Sequence, residues 1–124
     1  MKILFLDDER TLDQVTWIQY PSGITTLTVV RDYFDFRVAV KQLLSLKNIL
    51  FSFDHDLQCF EDGKEYTGLD CAKFLVEHII DNLHYLDPND LNYIVHSKNP
   101  CGKLNIESYI NTFIKMFSNE TVSR

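Results

Sequence analysis

Carboxylates gather at two places in this chain, and each place closes a short apolar run. Ile3-Leu4-Phe5-Leu6 runs into Asp7-Asp8-Glu9-Arg10, and Ile49-Leu50-Phe51-Ser52-Phe53 runs into Asp54-His55-Asp56. A short apolar run bounded by polar residues is the pattern of a strand buried on both faces of a parallel sheet. Ligands of such sheets bind beyond the carboxyl ends of the strands, where the strand order reverses. Strands ending in acids would therefore bring Asp7, Asp8, Asp54 and Asp56 to one crevice. Carboxylates that close repel each other unless some are protonated or a cation lies among them. An oxygen-rich donor set suits Mg²⁺ or Mn²⁺. The expected chemistry is a divalent metal held by Asp7, Asp8 and Asp54, with Asp56 completing its shell, and a phosphate bound through it.

Other residue types near these acids can act on a phosphate. The guanidinium of Arg10 matches phosphate oxygens, although the same side chain could serve only as a surface ion pair. His55 and His96 both end apolar runs beside acids, where an imidazole can move protons near neutral pH. The turn His96-Ser97-Lys98-Asn99-Pro100-Cys101-Gly102 leads into an amphipathic segment. A helix starting there would aim backbone amides at the site, making Ser97, Asn99 and Gly102 candidate phosphate ligands. Taken alone, an Asp at a strand end caps the following turn as readily as it binds a ligand. Asp56 shares a face with Asp54 only if the strand continues past Phe53.

The elements that must position these groups follow from periodicity. Strands are predicted at 2–6, 27–30, 49–53 and 93–95. Residues 9–24 lack helical periodicity and contain Pro21 and Gly23, predicting an irregular connection. Phe36, Val40, Leu43 and Leu44 predict a helix over about 34–46. Residues 57–67 read as a loop around the turn signal Asp62-Gly63. Leu69, Ala72, Leu75, Val76, Ile79, Ile80 and Leu83 stripe a second helix, opened by a Thr67/Asp70 capping pair. Asp87-Pro88-Asn89-Asp90 is a turn, and Ile106, Tyr109, Ile110, Phe113, Ile114 and Phe117 stripe a last helix. His78 and His84 lie on or just past the second helix and are expected to be solvated. Alternating strands and helices imply right-handed crossovers and a parallel α/β sandwich.

Composition narrows the function classes. A chain of 124 residues with 45% hydrophobic content forms one globular domain, 1–124. A net charge of −6 argues against broad electrostatic binding to duplex DNA or to an anionic membrane. Cys59, Cys71 and Cys101 lack zinc spacing and cannot all pair within the chain, which points to a reducing cytoplasm. The apolar run after Lys2 is too short for a signal peptide. Without secretion, the acceptor pattern Asn119-Glu120-Thr121 carries no weight.

The first strand with its acidic pair resembles response-regulator receiver domains, with Asp54 at the phospho-acceptor position and Ser97 at the hydroxyl position. The chain is still more similar to cyclic-phosphate-processing receiver domains. The motifs that carry this are Asp7-Asp8-Glu9-Arg10, Asp54-His55-Asp56-Leu57 and His96-Ser97-Lys98-Asn99-Pro100-Cys101-Gly102, with Thr67-Gly68-Leu69-Asp70-Cys71-Ala72 opening a helix. The resemblance implies a flavodoxin/receiver-like three-layer sandwich, with a short parallel sheet of about four strands in order 2-1-3-4. No strand carrying the receiver lysine is evident after Ser97, which argues against phosphorelay signalling.

The reading that joins residues and resemblance is a metal-assisted phosphoesterase acting on a cyclic phosphate of a nucleotide or RNA end. His55 and His96 would serve as base and acid. The alternatives are a receiver-like switch phosphorylated on Asp54, a nucleotide-binding module without turnover, and a metal-independent hydrolase using the two histidines.

Overall fold

In the computed structural model the backbone is described for residues 1–122 and the side chains through Phe117. The parallel sheet consists of β1 (Lys2–Leu6), β2 (Thr26–Val30), β3 (Ile49–Phe53) and, after the intervening hairpin strands β4 (Cys59–Glu61) and β5 (Lys64–Tyr66), β6 (Asn92–Val95). Its order is β2-β1-β3-β6, the expected 2-1-3-4 with β6 as the fourth parallel strand. All three pairings are parallel, and the order reverses between β1 and β3.

Side-chain alternation divides the core in two. Leu4, Leu6, Phe51, Phe53 and Val95 face the helices α1 (Tyr33–Lys41), α2 (Gly68–Asp81) and α3 (Pro100–Val122). Ile3, Phe5 and Leu50 face the other way, under Val15, Ile18 and Tyr20 of the connection between β1 and β2. The third layer of the sandwich is therefore this connection, whose regular structure is a single 3-10 turn at Leu12–Gln14. The missing helical periodicity of 9–24 has this physical outcome: the segment covers the sheet without a helix.

Four local expectations are corrected. Residues 57–67 are not a loop throughout, because β4 and β5 pair as an antiparallel hairpin. Asp62 and Gly63 both take positive φ (52° and 77°), the conformation a two-residue hairpin turn demands. Helix α1 stops at Lys41, leaving Leu44 84% exposed, while Leu46 becomes a core residue. The chain must leave the helix to enter β3, and Asn48 makes that entry with φ of 59°. On α2, Ile80 and Leu83 are 46% and 45% exposed instead of core, because the apolar stripe is wider than the face covered by neighbours. His78 is half-buried, stacked on Phe74 with centroids 6.0 Å apart, and its Nε2 has no hydrogen-bond partner.

The capping pair is present: Thr67 N–H donates to Asp70 Oδ2 at 2.8 Å. The side chains of Asn119-Glu120-Thr121 lie outside those described. Among the described residues no helix is long and apolar enough to cross a membrane.

Candidate functional site

The sheet carries the site residues on its own hydrogen-bond ladder, one step past each strand. Asp7 N–H donates to the Val30 carbonyl at 3.1 Å, Asp54 N–H to that of Leu6 at 3.0 Å, and His96 N–H to that of Phe53 at 2.9 Å. Alternation then turns Asp7 and His96 to the face of Phe5 and Ile94, away from the helices.

Beneath the site runs a buried polar chain. Tyr20 Oη and Ser52 Oγ are 2.7 Å apart, Ser52 Oγ and His96 Nδ1 2.7 Å, and His96 Nε2 and Asp7 Oδ2 3.0 Å. His96 is fully buried and stacked on Phe5, with ring centroids 4.7 Å apart. Asp7 is fully buried as well. Its Oδ1 accepts the amides of Glu9 and Arg10 at 3.0 and 2.8 Å, and its Oδ2 also accepts Arg10 Nη1 at 3.3 Å. Burial alone would raise the Asp7 carboxyl, but the hydrogen bonds from His96 and these amides outweigh it and hold Asp7 well below the usual carboxylate range.

Above this chain lies an open crevice of about 330 Å³, lined by Asp8, Arg10, Asp54, Asp56, Ser97 and Asn99 among others. Burial, and then the charge of Asp7, raise both Asp8 and Asp54 above the usual carboxylate range. Arg10 Nη1 stands 3.9 Å from Asp54 Oδ2 as well as against Asp7. The turn that presents Arg10 is clamped by Arg31, whose Nη1 donates to the carbonyls of Asp7 (3.1 Å) and Arg10 (2.6 Å).

A second His–Asp pair stands at the rim. His55 Nδ1 and Asp56 Oδ1 are 2.9 Å apart, and Asn99 Nδ2 donates to Asp56 Oδ2 at 3.1 Å. The hydrogen bond with His55 holds the Asp56 carboxyl below its usual range. Two glycines make this packing possible. A Cβ on Gly102 would overlap the His55 ring, and a Cβ on Gly68 would overlap the Asp54 carbonyl where α2 begins.

The structure brings the expected residues to one edge of the sheet, with Asp8, Arg10, Asp54, Asp56, Ser97 and Asn99 on the crevice and the two histidines behind it. Neither histidine lines the crevice: His96 lies behind Asp7, with both ring nitrogens engaged, and His55 lies behind Asp56. A His96 acid touching a leaving group does not fit this placement. The Gly102 amide donates to Asn99 Oδ1 at 3.0 Å, capping α3, so it is not available to grip a phosphate. Ser97 Oγ accepts the Asn99 amide at 3.1 Å and still borders the crevice.

Asp7, Asp54 and His96 offer ligand atoms within 4.8 Å of one another. However, Asp7 and His96 are already saturated by hydrogen bonds, whereas the carboxyl groups of Asp8 and Asp54 stay raised by burial and by the charge of Asp7. Asp8 and Asp54 both border the crevice, and oxygen donors of this kind are the type a hard divalent cation takes. Sequence reasoning missed Arg31, Ser52 and Tyr20. Of these, only Ser52 carried a signal: a hydroxyl inside an apolar strand, at the alternation of Asp54.

A parallel sheet in this order, with acids beyond β1 and β3 and a hydroxyl beyond β6, defines a receiver-like α/β domain. The chain belongs to the cyclic-phosphate processing receiver domain family, whose model matches residues 2–112. No curated protein and no solved structure matches it.

Proposed function

We propose that the crevice hydrolyses a cyclic phosphodiester on a nucleotide or RNA end. One observation carries the reading: Arg10, Ser97 and Asn99 converge with Asp8, Asp54 and Asp56 on a single crevice beyond the sheet. Arg10 supplies the forked cation for the phosphate oxygens, held in place by Asp7 and by the Arg31 clamp. Ser97 Oγ and Asn99 border the same space and orient the ring. Asp8 and Asp54 would hold Mg²⁺ or Mn²⁺, which when bound neutralises phosphate charge and lowers the pKa of a coordinated water.

Proton transfer falls to the rim pair. Asp56 lines the crevice, and His55 Nδ1 lies behind it, 2.9 Å from Asp56 Oδ1. Asp56 would take the proton released as water attacks phosphorus and return it to the departing alkoxide, while the adjacent imidazole holds the carboxyl group in position. His96 is a positioning residue, because it orients Asp7 and keeps it ionised.

A second reading has its own support. Arg10 is the cation beside Asp54, a nearly buried carboxylate at the receiver phospho-acceptor position, so Asp54 could accept a phosphoryl group. Acetyl-phosphate labelling followed by mass spectrometry separates the two. The main test incubates the protein with 2′,3′- and 3′,5′-cyclic phosphates, with and without Mg²⁺ or Mn²⁺, and reads products by mass. Ring opening of one class, lost with Arg10→Ala, is expected. Intact substrates under every condition would overturn hydrolysis.

A further inference from the structure

Trp17 stands beside the crevice and takes no part in the chemistry above. It is the one tryptophan of the chain and is 38% exposed. Exposure of an indole is ordinarily unremarkable, but this ring is fixed. Its Nε1–H donates to the carbonyl of His96 at 2.8 Å, tying the edge of the ring to the residue that ends β6. Arg10 and Lys98 both lie on it, with the guanidinium carbon 5.3 Å and the Lys98 ammonium 4.2 Å from the ring centroid. The depression it lines, with Gln14, shares Glu9, Arg10 and Lys98 with the crevice. In a chain of net charge −6, the cations bordering these joined depressions, Arg10 and Lys98, stand where they meet.

We propose that Trp17 is a base platform, so that the ligand is a ribonucleoside cyclic phosphate whose nucleobase stacks on the indole while its phosphate meets Arg10 and Lys98. The proposal rests on the cyclic-phosphate reading of the crevice and adds the surface that holds the base. Three features support a base over a bare phosphate ester. A flat aromatic face is held rigidly, which lowers the entropy lost when a base stacks on it. The ring now carries a flexible, exposed Lys98 ammonium, which a base can displace and which is then free to pair with the phosphate. Finally, stacking suits any base, whereas the acids of the crevice would repel a ligand whose anion were not met by these cations.

The single tryptophan makes the test direct. Intrinsic fluorescence is titrated with adenosine 2′,3′-cyclic phosphate, with a trinucleotide ending in the same group, and with glycerol 1,2-cyclic phosphate, which has no base. Calorimetry repeats the titrations on Trp17→Ala and Trp17→Phe. Saturable quenching by the nucleotides is expected. Trp17→Ala should weaken nucleotide binding roughly 5- to 150-fold, the range of base–aromatic stacking, and glycerol cyclic phosphate by less than about twofold. Trp17→Phe, which keeps a ring, should retain most of the affinity. A trinucleotide bound more tightly than the mononucleotide identifies an RNA end as the source, and equal affinities identify a free nucleotide; both support the platform. Quenching without cleavage also supports it, while counting against hydrolysis. The platform is overturned if no nucleotide binds, if the glycerol ester binds as tightly as the nucleotides, or if Trp17→Ala weakens all ligands equally. Cleavage of the glycerol ester with no preference for nucleotides would leave hydrolysis standing and the platform refuted.

Discussion

Among the described residues there are two His–Asp pairs, and they are opposites. His96–Asp7 is sealed under the sheet edge, bonded at both ring nitrogens and stacked on Phe5. His55–Asp56 stands at the rim, with Asp56 open to solvent and Asn99 as its other partner. The same two residue types thus stand sealed in one place and at the solvent boundary in the other. The difference lies in burial: the sealed pair is part of a fixed polar network, whereas the carboxylate of the rim pair is open to solvent.

Substituting each histidine is the strongest way to break this comparison. His96→Ala removes one hydrogen-bond partner each from Ser52 and Asp7 and leaves a cavity where the buried ring stacked on Phe5, and it should cost about 3–5 kcal/mol of stability, read by urea denaturation. His55→Ala should leave stability within about 1 kcal/mol, yet lower turnover on a confirmed cyclic phosphate by roughly 10²–10⁴-fold. A folded, fully stable His96→Ala protein would show that the inner chain does not hold the site.

Gly102→Ala sharpens the picture at the rim. The added methyl must push the His55 ring away from Asp56, and a shift of about 1 Å can cost on the order of 10²-fold in rate. Turnover should fall while the melting temperature barely moves. If both fall together, the glycine serves helix packing and not the pair.

The crevice acids come next, through stability. Asp8 and Asp54 have raised carboxyl pKa values in the folded state, so folding binds protons there that the unfolded chain releases. Their cost is absent below the ordinary pKa, 3.8, and grows as pH rises from there through the raised values. Asp8→Asn with Asp54→Asn should therefore raise the melting temperature at pH 7, with the gain fading as pH falls toward that ordinary value. Asp7 has the opposite sign. Its depressed pKa contributes stability above the ordinary value that is lost only as pH falls through the folded one. Millimolar Mg²⁺ or Mn²⁺ should stabilise the folded wild type by about 2.7 kcal/mol at a hundredfold excess over Kd, read as a rise in melting temperature. The double mutant should show no such rise, and an equal rise in it would place the ion elsewhere.

The smallest effect is reserved for His78, which has no part in either pair. His78→Ala should change stability by no more than about 1 kcal/mol and turnover not at all, since the ring gives up only stacking on Phe74 and contacts with Asn82.

Sequence alone determined the parallel sheet and the edge at which the acids and histidines gather, because buried strands declare themselves as apolar runs and the polar residues that end them fall beyond the sheet. It also placed Asp7, Asp54 and His96 together, through the motifs of the receiver resemblance. It could not say which histidine is sealed. His55 and His96 each follow an apolar run beside an acid, and their difference is made by Phe5, Ser52 and Tyr20, which come from elsewhere in the chain. Nor could it show that the Gly102 amide is spent on capping α3, since that depends on where the Asn99 side chain turns. The helix ends and the β4–β5 hairpin were decided the same way. Leu44 and Leu46 have the same hydrophobicity, and only the path from α1 through Asn48 into β3 selects which one is buried. Periodicity is a property of neighbours along the chain, whereas burial and hydrogen-bond saturation are properties of neighbours in space. The tertiary structure alone supplies the second kind.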